Sequence, residues 1–158
     1  MNTLKFLIFF WLSQFSLLHS QENFDLTQDW IQLKVTLIKK TEISLDLVDL
    51  VRESKKIDKN VVVKTKNCAK ELRNLCENNN LDKSLIALIN NENKKLSEYL
   101  TNIFTKIEKD IEIISDEQFL RIMDELFSIE KNLYKIILEY NEKCMKSKNN
   151  DLIFKIKE

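Results

Sequence analysis

The sequence predicts an all-α fold: a bundle of four to five helices in which the last two or three are long and coiled-coil-like. Two observations lead to this prediction. The 158 residues include no glycine and no proline, and tight β-turns and phosphate-binding loops depend on those residues. Aliphatic residues recur at steps of three and four along most of the chain, which is the spacing of amphipathic helices.

Residues 1–20 predict a secretory signal peptide. Lys5 precedes the apolar run of residues 6–12, the segment has no acidic residue, and small Ser20 precedes the more polar Gln21. These features are typical of a cleaved export signal. A membrane anchor is the alternative, but the apolar run is shorter than the ~20 residues of a spanning helix. We therefore expect a secreted, extracellular product with no membrane span after cleavage.

The helices are expected within one domain of residues 21–148, which a tail of residues 149–158 follows. Helical spacing predicts a first helix over residues 25–40, and Ser44 is the expected N-cap of a separate short helix ending near residue 54. The later helices are predicted over residues 58–77 and 82–111 and from residue 115 onward, with Asp58, Asp82 and Ser115 at their starts.

The last helix has the clearest apolar pattern. Its seam alternates steps of three and four over three heptads: Phe119, Ile122, Leu126, Ile129, Leu133, Ile136 and Tyr140. A second set widens the stripe: Leu120, Met123, Phe127, Tyr134 and Ile137. A wide stripe favours the interior of a bundle over a thin two-stranded seam.

Composition argues against most catalytic chemistry. The only histidine, His19, lies in the predicted signal, so the mature chain lacks the side chain most used for acid–base catalysis and as a metal ligand. The 25 basic residues balance 25 acidic ones, which removes the electrostatic case for nucleic-acid binding. Acid pairs such as Asp46 and Asp49 are typical of a solvated face. We predict a protein that is not an enzyme and uses no cofactor or metal, with no catalytic residues.

The three cysteines are Cys68, Cys76 and Cys144, and an exported protein meets an oxidising environment. Cys68 and Cys76 are separated by about 12 Å of helical rise, beyond the ~7 Å reach of a disulfide. If the last three helices run up, down and up, Cys76 and Cys144 lie at the same end. We predict a Cys76–Cys144 disulfide with Cys68 as a free thiol. Three reduced, buried thiols are the alternative.

A faint internal repeat relates the two halves of the chain. Ser44 and Ser115, each preceded by an isoleucine and each expected to open a helix, lie 115 − 44 = 71 residues apart. The segment from Ile38 to Ser44, together with the stretch Lys95–Leu138, resembles the SXP/RAL family of small secreted nematode proteins. The resemblance implies an all-helical, exported parasite protein that interacts with its host, and it supplies no catalytic residues.

The predicted function is that of a secreted helical binding protein. We expect a parasite-type effector that contacts a host protein through a helical surface or through the apolar tail residues 152–154. The alternative is a carrier that holds a fatty acid or another small apolar ligand between its helices, which the wide aliphatic stripes permit. A homodimer is also compatible with these stripes.

The export prediction has a direct test. After expression in a secretory host, the product should begin at Gln21 and carry no N-linked glycan, since no asparagine lies in an Asn-x-Ser/Thr sequon. Amino-terminal sequencing and the intact mass measure both. A product that retains residues 1–20 would contradict the signal-peptide interpretation.

Overall fold

The computed structural model describes residues 26–78, 81–108 and 110–155. Within these ranges the predicted all-α bundle is confirmed, with no β-strand and five α-helices: α1 (Leu26–Val51), α2 (Lys59–Glu77), α3 (Lys83–Ile107), α4 (Ile111–Ile114) and α5 (Glu117–Lys146). A 3₁₀ turn, Asn150–Leu152, follows α5. No helix in the described ranges is long and apolar enough to cross a membrane. The predicted signal, residues 1–20, lies outside the described residues.

The four long helices pack side by side in a defined order. Helix α1 packs along both α2 and α5, and α2 packs along α3. Lys143 near the end of α5 contacts Asp29 near the start of α1, and Glu130 contacts Lys40 further along, so α1 and α5 are antiparallel. Helices α3 and α5 approach each other much less closely than these three pairs of helices do. The bundle is therefore open along the side between α3 and α5.

Three helices begin at an aspartate whose carboxylate accepts a backbone hydrogen bond: Asp58 from Asn60, Asp82 from Leu85 and Asp116 from Phe119. Such a carboxylate satisfies an amide that has no partner in the helix and lies at the positive end of the helix dipole. The caps predicted at Asp58 and Asp82 are confirmed. The cap predicted at Ser115 was wrong by one residue, because Ser115 closes the short helix α4.

The break predicted before Ser44 is absent, and α1 is continuous through it. Ser44 is buried, and its hydroxyl donates to the carbonyl oxygen of Lys40 at 2.7 Å. The hydroxyl of Thr41 donates in the same way to the carbonyl of Ile38 at 2.7 Å. Because both hydroxyls are satisfied within the helix, polar residues occupy its buried face without ending it.

The core lies along the predicted seam of α5. All seven seam residues are buried, and Phe119 at its start makes an edge contact with Phe104 of α3. The prediction that a wider stripe enters the core was wrong for three residues, since Leu120, Phe127 and Tyr134 are exposed. Helices α1 and α3 cover the seam only, and nothing in the described chain packs over the neighbouring face of α5.

The residues after α5 fold back onto the bundle. Phe154 is buried, and the side-chain amide of Asn141 donates to its carbonyl at 2.6 Å and accepts from its amide nitrogen at 2.7 Å. Leu152 and Ile153 are half-buried against the core. The apolar residues of the predicted tail therefore pack internally, and their expected use as an exposed docking surface was wrong.

Substitution in the seam tests this packing. Leu126→Asp or Leu133→Asp places a carboxylate at a position that is 4% or 2% exposed, which costs several kcal/mol or forces protonation. Each change should abolish cooperative thermal unfolding measured by circular dichroism. Phe127→Asp is the matched control, because that side chain is 75% exposed and its replacement should leave a cooperative melt. A parent-like melt of Leu133→Asp would show that the seam is not buried.

Candidate functional site

The open side of the bundle forms a groove between α3 and α5, which we call the α3–α5 groove. Its volume is about 1080 Å³, just above the range of about 300–1,000 Å³ for small-molecule sites. On α3 its lining extends from residue 83 to residue 97, a length of about 21 Å at 1.5 Å per residue. Residues 150–155 close the end of the groove beside the start of α3.

The lining of the groove combines apolar, amide and charged side chains. Its apolar members are Ile86, Ala87, Leu133, Tyr134, Ile137 and Ile153. Its neutral polar members are Asn90, Asn91, Asn93, Ser97 and Asn150. Its charged members are Lys83, Lys94, Glu130, Asp151 and Lys155. Such a mixture suits a ligand that has both an apolar and a polar side.

A buried ammonium group lies beneath the groove. Lys40 extends from α1 into the interior, and its side chain is fully covered. Its Nζ donates to Asn93 Oδ1 at 2.7 Å and to Ser97 Oγ at 2.8 Å. It also pairs with Glu130 Oε1 at 2.6 Å. All three hydrogens of the ammonium group therefore have acceptors, two on α3 and one on α5.

The two members of the Lys40–Glu130 ion pair differ in their exposure to water. Burial lowers the pKa of Lys40 below its ordinary value, and the neighbouring Glu130 carboxylate opposes that shift. The side chain of Glu130 is 44% exposed, so water can solvate its carboxylate if the lysine is lost. Lys40 has no such access, because its side chain is fully covered. The lysine therefore depends on the glutamate more than the glutamate depends on the lysine.

This cluster determines the shape of the groove. Asn93, Ser97 and Glu130 all line the groove and all contact Lys40. The Ser97 hydroxyl also lies 3.3 Å from Glu130 Oε1. The polar contacts therefore connect α3 to α5 through a side chain of α1, at a place where the two helices do not pack directly against each other.

The cysteines form no disulfide in the structure, and Cys68, Cys76 and Cys144 are all free, buried thiols. The predicted Cys76–Cys144 bridge is therefore corrected. Helices α2 and α5, which carry these two residues, do run in the same direction, as the up-down-up arrangement requires. Helix α1 packs along both of them, however, and lies between the two thiols.

The three thiols are poor nucleophiles as well as unpaired. Burial raises the pKa of Cys76 to about 12, and burial followed by a hydrogen bond to Glu92 raises that of Cys68 to about 12. Burial also raises the pKa of Cys144. The reactive form is the thiolate, and these groups remain protonated at neutral pH.

The other residues singled out in the sequence have ordinary roles. Asp46 and Asp49, the acid pair expected on a solvated face, are exposed. No group of three metal-binding side chains lies together in the part of the chain that the structure describes. Within the basic run of residues 143–148, Lys143 pairs with Asp29 at 2.8 Å. Lys146, near the end of α5, pairs with Glu142.

Sequence reasoning missed Lys40, Asn93, Ser97 and Glu130. One signal was available: Lys40, Thr41 and Ser44 interrupt the apolar face that Leu37 and Leu47 otherwise continue. That interruption was interpreted as a helix break, whereas it marks a polar contact inside the bundle. Nothing in the local sequence of α3 or α5 indicates that their polar side chains receive this lysine.

The fold and the groove define an all-helical, four-long-helix bundle with one open side. A model of the LemA family matches residues 29–154, which cover the four long helices and the packed residues up to Phe154. The match spans more than half of the chain, and the protein belongs to the LemA family. No curated protein and no solved structure matches it.

Family membership corrects two predictions. The suspected SXP/RAL resemblance was wrong, since the family match is to LemA; the serine-capped repeat that suggested it disappears in the structure, where Ser44 lies inside α1. The predicted functions that accompanied it, a secreted parasite-type effector or a fatty-acid carrier, are withdrawn with it. Extracellular localisation, which rested on residues 1–20, stays a prediction that amino-terminal sequencing tests.

Removing either member of the Lys40–Glu130 pair should change the free energy of unfolding by a different amount. Glu130→Ala leaves a buried ammonium without its counter-charge and should lower the free energy of unfolding by about 3 kcal/mol. Lys40→Met leaves a carboxylate that water can reach, and should stay within about 1 kcal/mol of the parent. Urea unfolding followed by circular dichroism measures both values.

The control for this pair is Glu139→Ala. Glu139 pairs with Lys135 on the same helix, but both side chains are more than half exposed, and the loss should stay within about 0.5 kcal/mol. If Lys40→Met costs as much as Glu130→Ala, the explanation by unequal exposure is wrong.

Proposed function

We propose that this protein is a non-catalytic recognition domain whose α3–α5 groove binds an acidic, amphipathic helix of a protein partner. The observation that carries the proposal is the open side of the bundle, where two antiparallel helices approach each other without packing along their length. An added helix in such a groove packs against two neighbours, as in other helix-in-groove complexes.

The dimensions of the groove support a helical occupant. A length of about 21 Å corresponds to about 14 residues of α-helix, or four turns. Over that length an amphipathic helix presents three or four large apolar side chains on one face. The groove offers apolar surface from both walls and from the closing segment, in Ala87, Tyr134 and Ile153. The other apolar lining residues, Ile86, Leu133 and Ile137, are buried beneath that surface.

The charges of the groove favour an acidic partner. Three lysines line it, Lys83, Lys94 and Lys155, against two carboxylates. Both carboxylates are already paired, Glu130 with the buried Lys40 and Asp151 with Lys83. With Lys40 included, the groove carries four positive and two negative charges, a net charge of 4 − 2 = +2. Complementary charge guides association and suppresses wrong partners.

Several observations support binding rather than catalysis. The described residues include no histidine. The three thiols are buried with raised pKa values, and the fully covered amine beneath the groove, that of Lys40, has all its hydrogens committed to protein acceptors. Outside that cluster, the uncharged lining of the groove consists of amide, hydroxyl and aliphatic groups, which recognise ligands without activating them.

Selection from a library of helical peptides tests the proposal, because the groove sets the chemistry of its partner and leaves the partner's sequence open. Peptides displayed on phage are selected on the parent protein, and their binding is then measured by fluorescence anisotropy. We expect enriched peptides with apolar residues spaced three and four apart and an excess of aspartate and glutamate. Ala87→Trp fills the groove and should abolish their binding.

Each groove variant has a matched control on α3: Leu88→Trp for Ala87→Trp, and Lys106→Glu for Lys94→Glu. Leu88→Trp adds the same side chain at the next position of α3, where the residue is exposed outside the groove, and should leave binding unchanged. Lys94→Glu at the rim should raise the Kd about fivefold, whereas Lys106→Glu, exposed on α3 outside the groove, should not. Selected peptides that bind Ala87→Trp as well as the parent, or a selection that enriches none, would overturn the proposal.

A further inference from the structure

Helix α5 carries an exposed apolar face that the bundle does not use. Leu120, Phe127 and Tyr134 are spaced by seven residues and are 50%, 75% and 54% exposed. Leu138, one turn beyond Tyr134, is 45% exposed. Seven residues correspond to about two helical turns, so these side chains lie along one line. We call this line the outer stripe.

The outer stripe differs from the scattered apolar residues of an ordinary surface. A single exposed leucine or valine needs no explanation, but an aligned series of large side chains marks an interaction site. The adjacent seam of α5 is already filled by the protein's own core. The outer stripe therefore is a second seam on the same helix, and it has no partner among the described residues.

Charges beside the outer stripe indicate what covers it. Asp124 and Lys131 flank Phe127 at similar distances on either side in sequence, and both are exposed. If two copies of α5 pair antiparallel about Phe127, residues whose numbers sum to 127 + 127 = 254 face each other. Leu120 then meets Tyr134 of the second copy, since 120 + 134 = 254, and Asp124 lies beside its Lys131, since 124 + 131 = 255.

We propose that two copies of this chain associate through the outer stripe, antiparallel and about a twofold axis at Phe127. A twofold axis makes each contact occur twice, so the interface contains two Leu120–Tyr134 contacts and two Asp124–Lys131 pairs around a central pair of phenylalanines. In a parallel arrangement Asp124 of one copy and Lys131 of the other would lie on opposite sides of the interface, so only the antiparallel alignment forms the opposite-charge pairs. A second copy therefore covers the exposed apolar side chains of the outer stripe and pairs the opposite charges beside it.

This interface rests on different observations from the proposed groove. The groove depends on the separation of α3 from α5, and the outer stripe depends on exposed residues of α5 alone. Tyr134 belongs to both surfaces, so it lies at their border. Failure of peptide selection on the groove would leave the dimer proposal standing, and failure of the dimer would leave the groove.

Analytical ultracentrifugation of the full chain tests the association. The parent should sediment as a dimer with twice the mass of the monomer. Phe127→Asp should sediment as a monomer with an unchanged helical circular dichroism spectrum, because the replaced side chain is exposed. Ser128→Asp adds the same charge at the next, also exposed, position and should remain dimeric. A monomeric parent, or a dimeric Phe127→Asp, would overturn the proposal.

Charge exchange tests the antiparallel register. Asp124→Lys or Lys131→Asp alone places like charges together twice in the dimer and should raise its dissociation constant about tenfold. The double variant restores opposite charges and should return the dissociation constant to near the parent value. In a parallel pair residues 124 and 131 of the two copies do not meet, so the single and the double variants would all associate like the parent. A double variant as weak as the single ones would therefore overturn the register.

Discussion

The structure depends on how one buried charge is satisfied. The ammonium group of Lys40 has no access to water, and an ion in the protein interior is stable only when it is paired and hydrogen-bonded. Its three acceptors come from two other helices. Moving α3 or α5 relative to α1 would remove acceptors from this group, so the cluster constrains the relative positions of three helices in addition to their aliphatic packing.

The same constraint connects the core to the candidate site. Asn93, Ser97 and Glu130 each direct part of their side chain at Lys40 and also line the α3–α5 groove. A polar contact thus replaces the direct packing that α3 and α5 would make in a closed bundle. The groove is consequently part of the architecture and is not a defect in packing. Its positive charge arises partly from the lysine beneath it.

Helix α5 shows how one helix serves three purposes. Its seam fills the core, one side of it forms a wall of the groove, and its outer stripe remains exposed. Sequence analysis interpreted all of these apolar residues as one broad buried face. That interpretation assumed neighbours on both sides of the seam, but α1 and α3 leave the face around Phe127 uncovered. Periodicity records which residues share a face of a helix, and it does not record which faces have neighbours.

The sequence by itself determined the helical class, the long helices α2, α3 and α5, two aspartate caps and the buried seam of α5, because each depends on local spacing or on a contact within a few residues. Tertiary structure decided the rest. Asn93 lies 53 residues and Ser97 57 residues from Lys40 in the chain, and only the packing of α1, α3 and α5 brings them together. The cysteines follow the same rule: their helices run in the predicted direction, but the position of α1 between α2 and α5 keeps the thiols apart. Contacts between distant segments depend on the order in which helices pack, and that order is not encoded in the periodicity of any single helix.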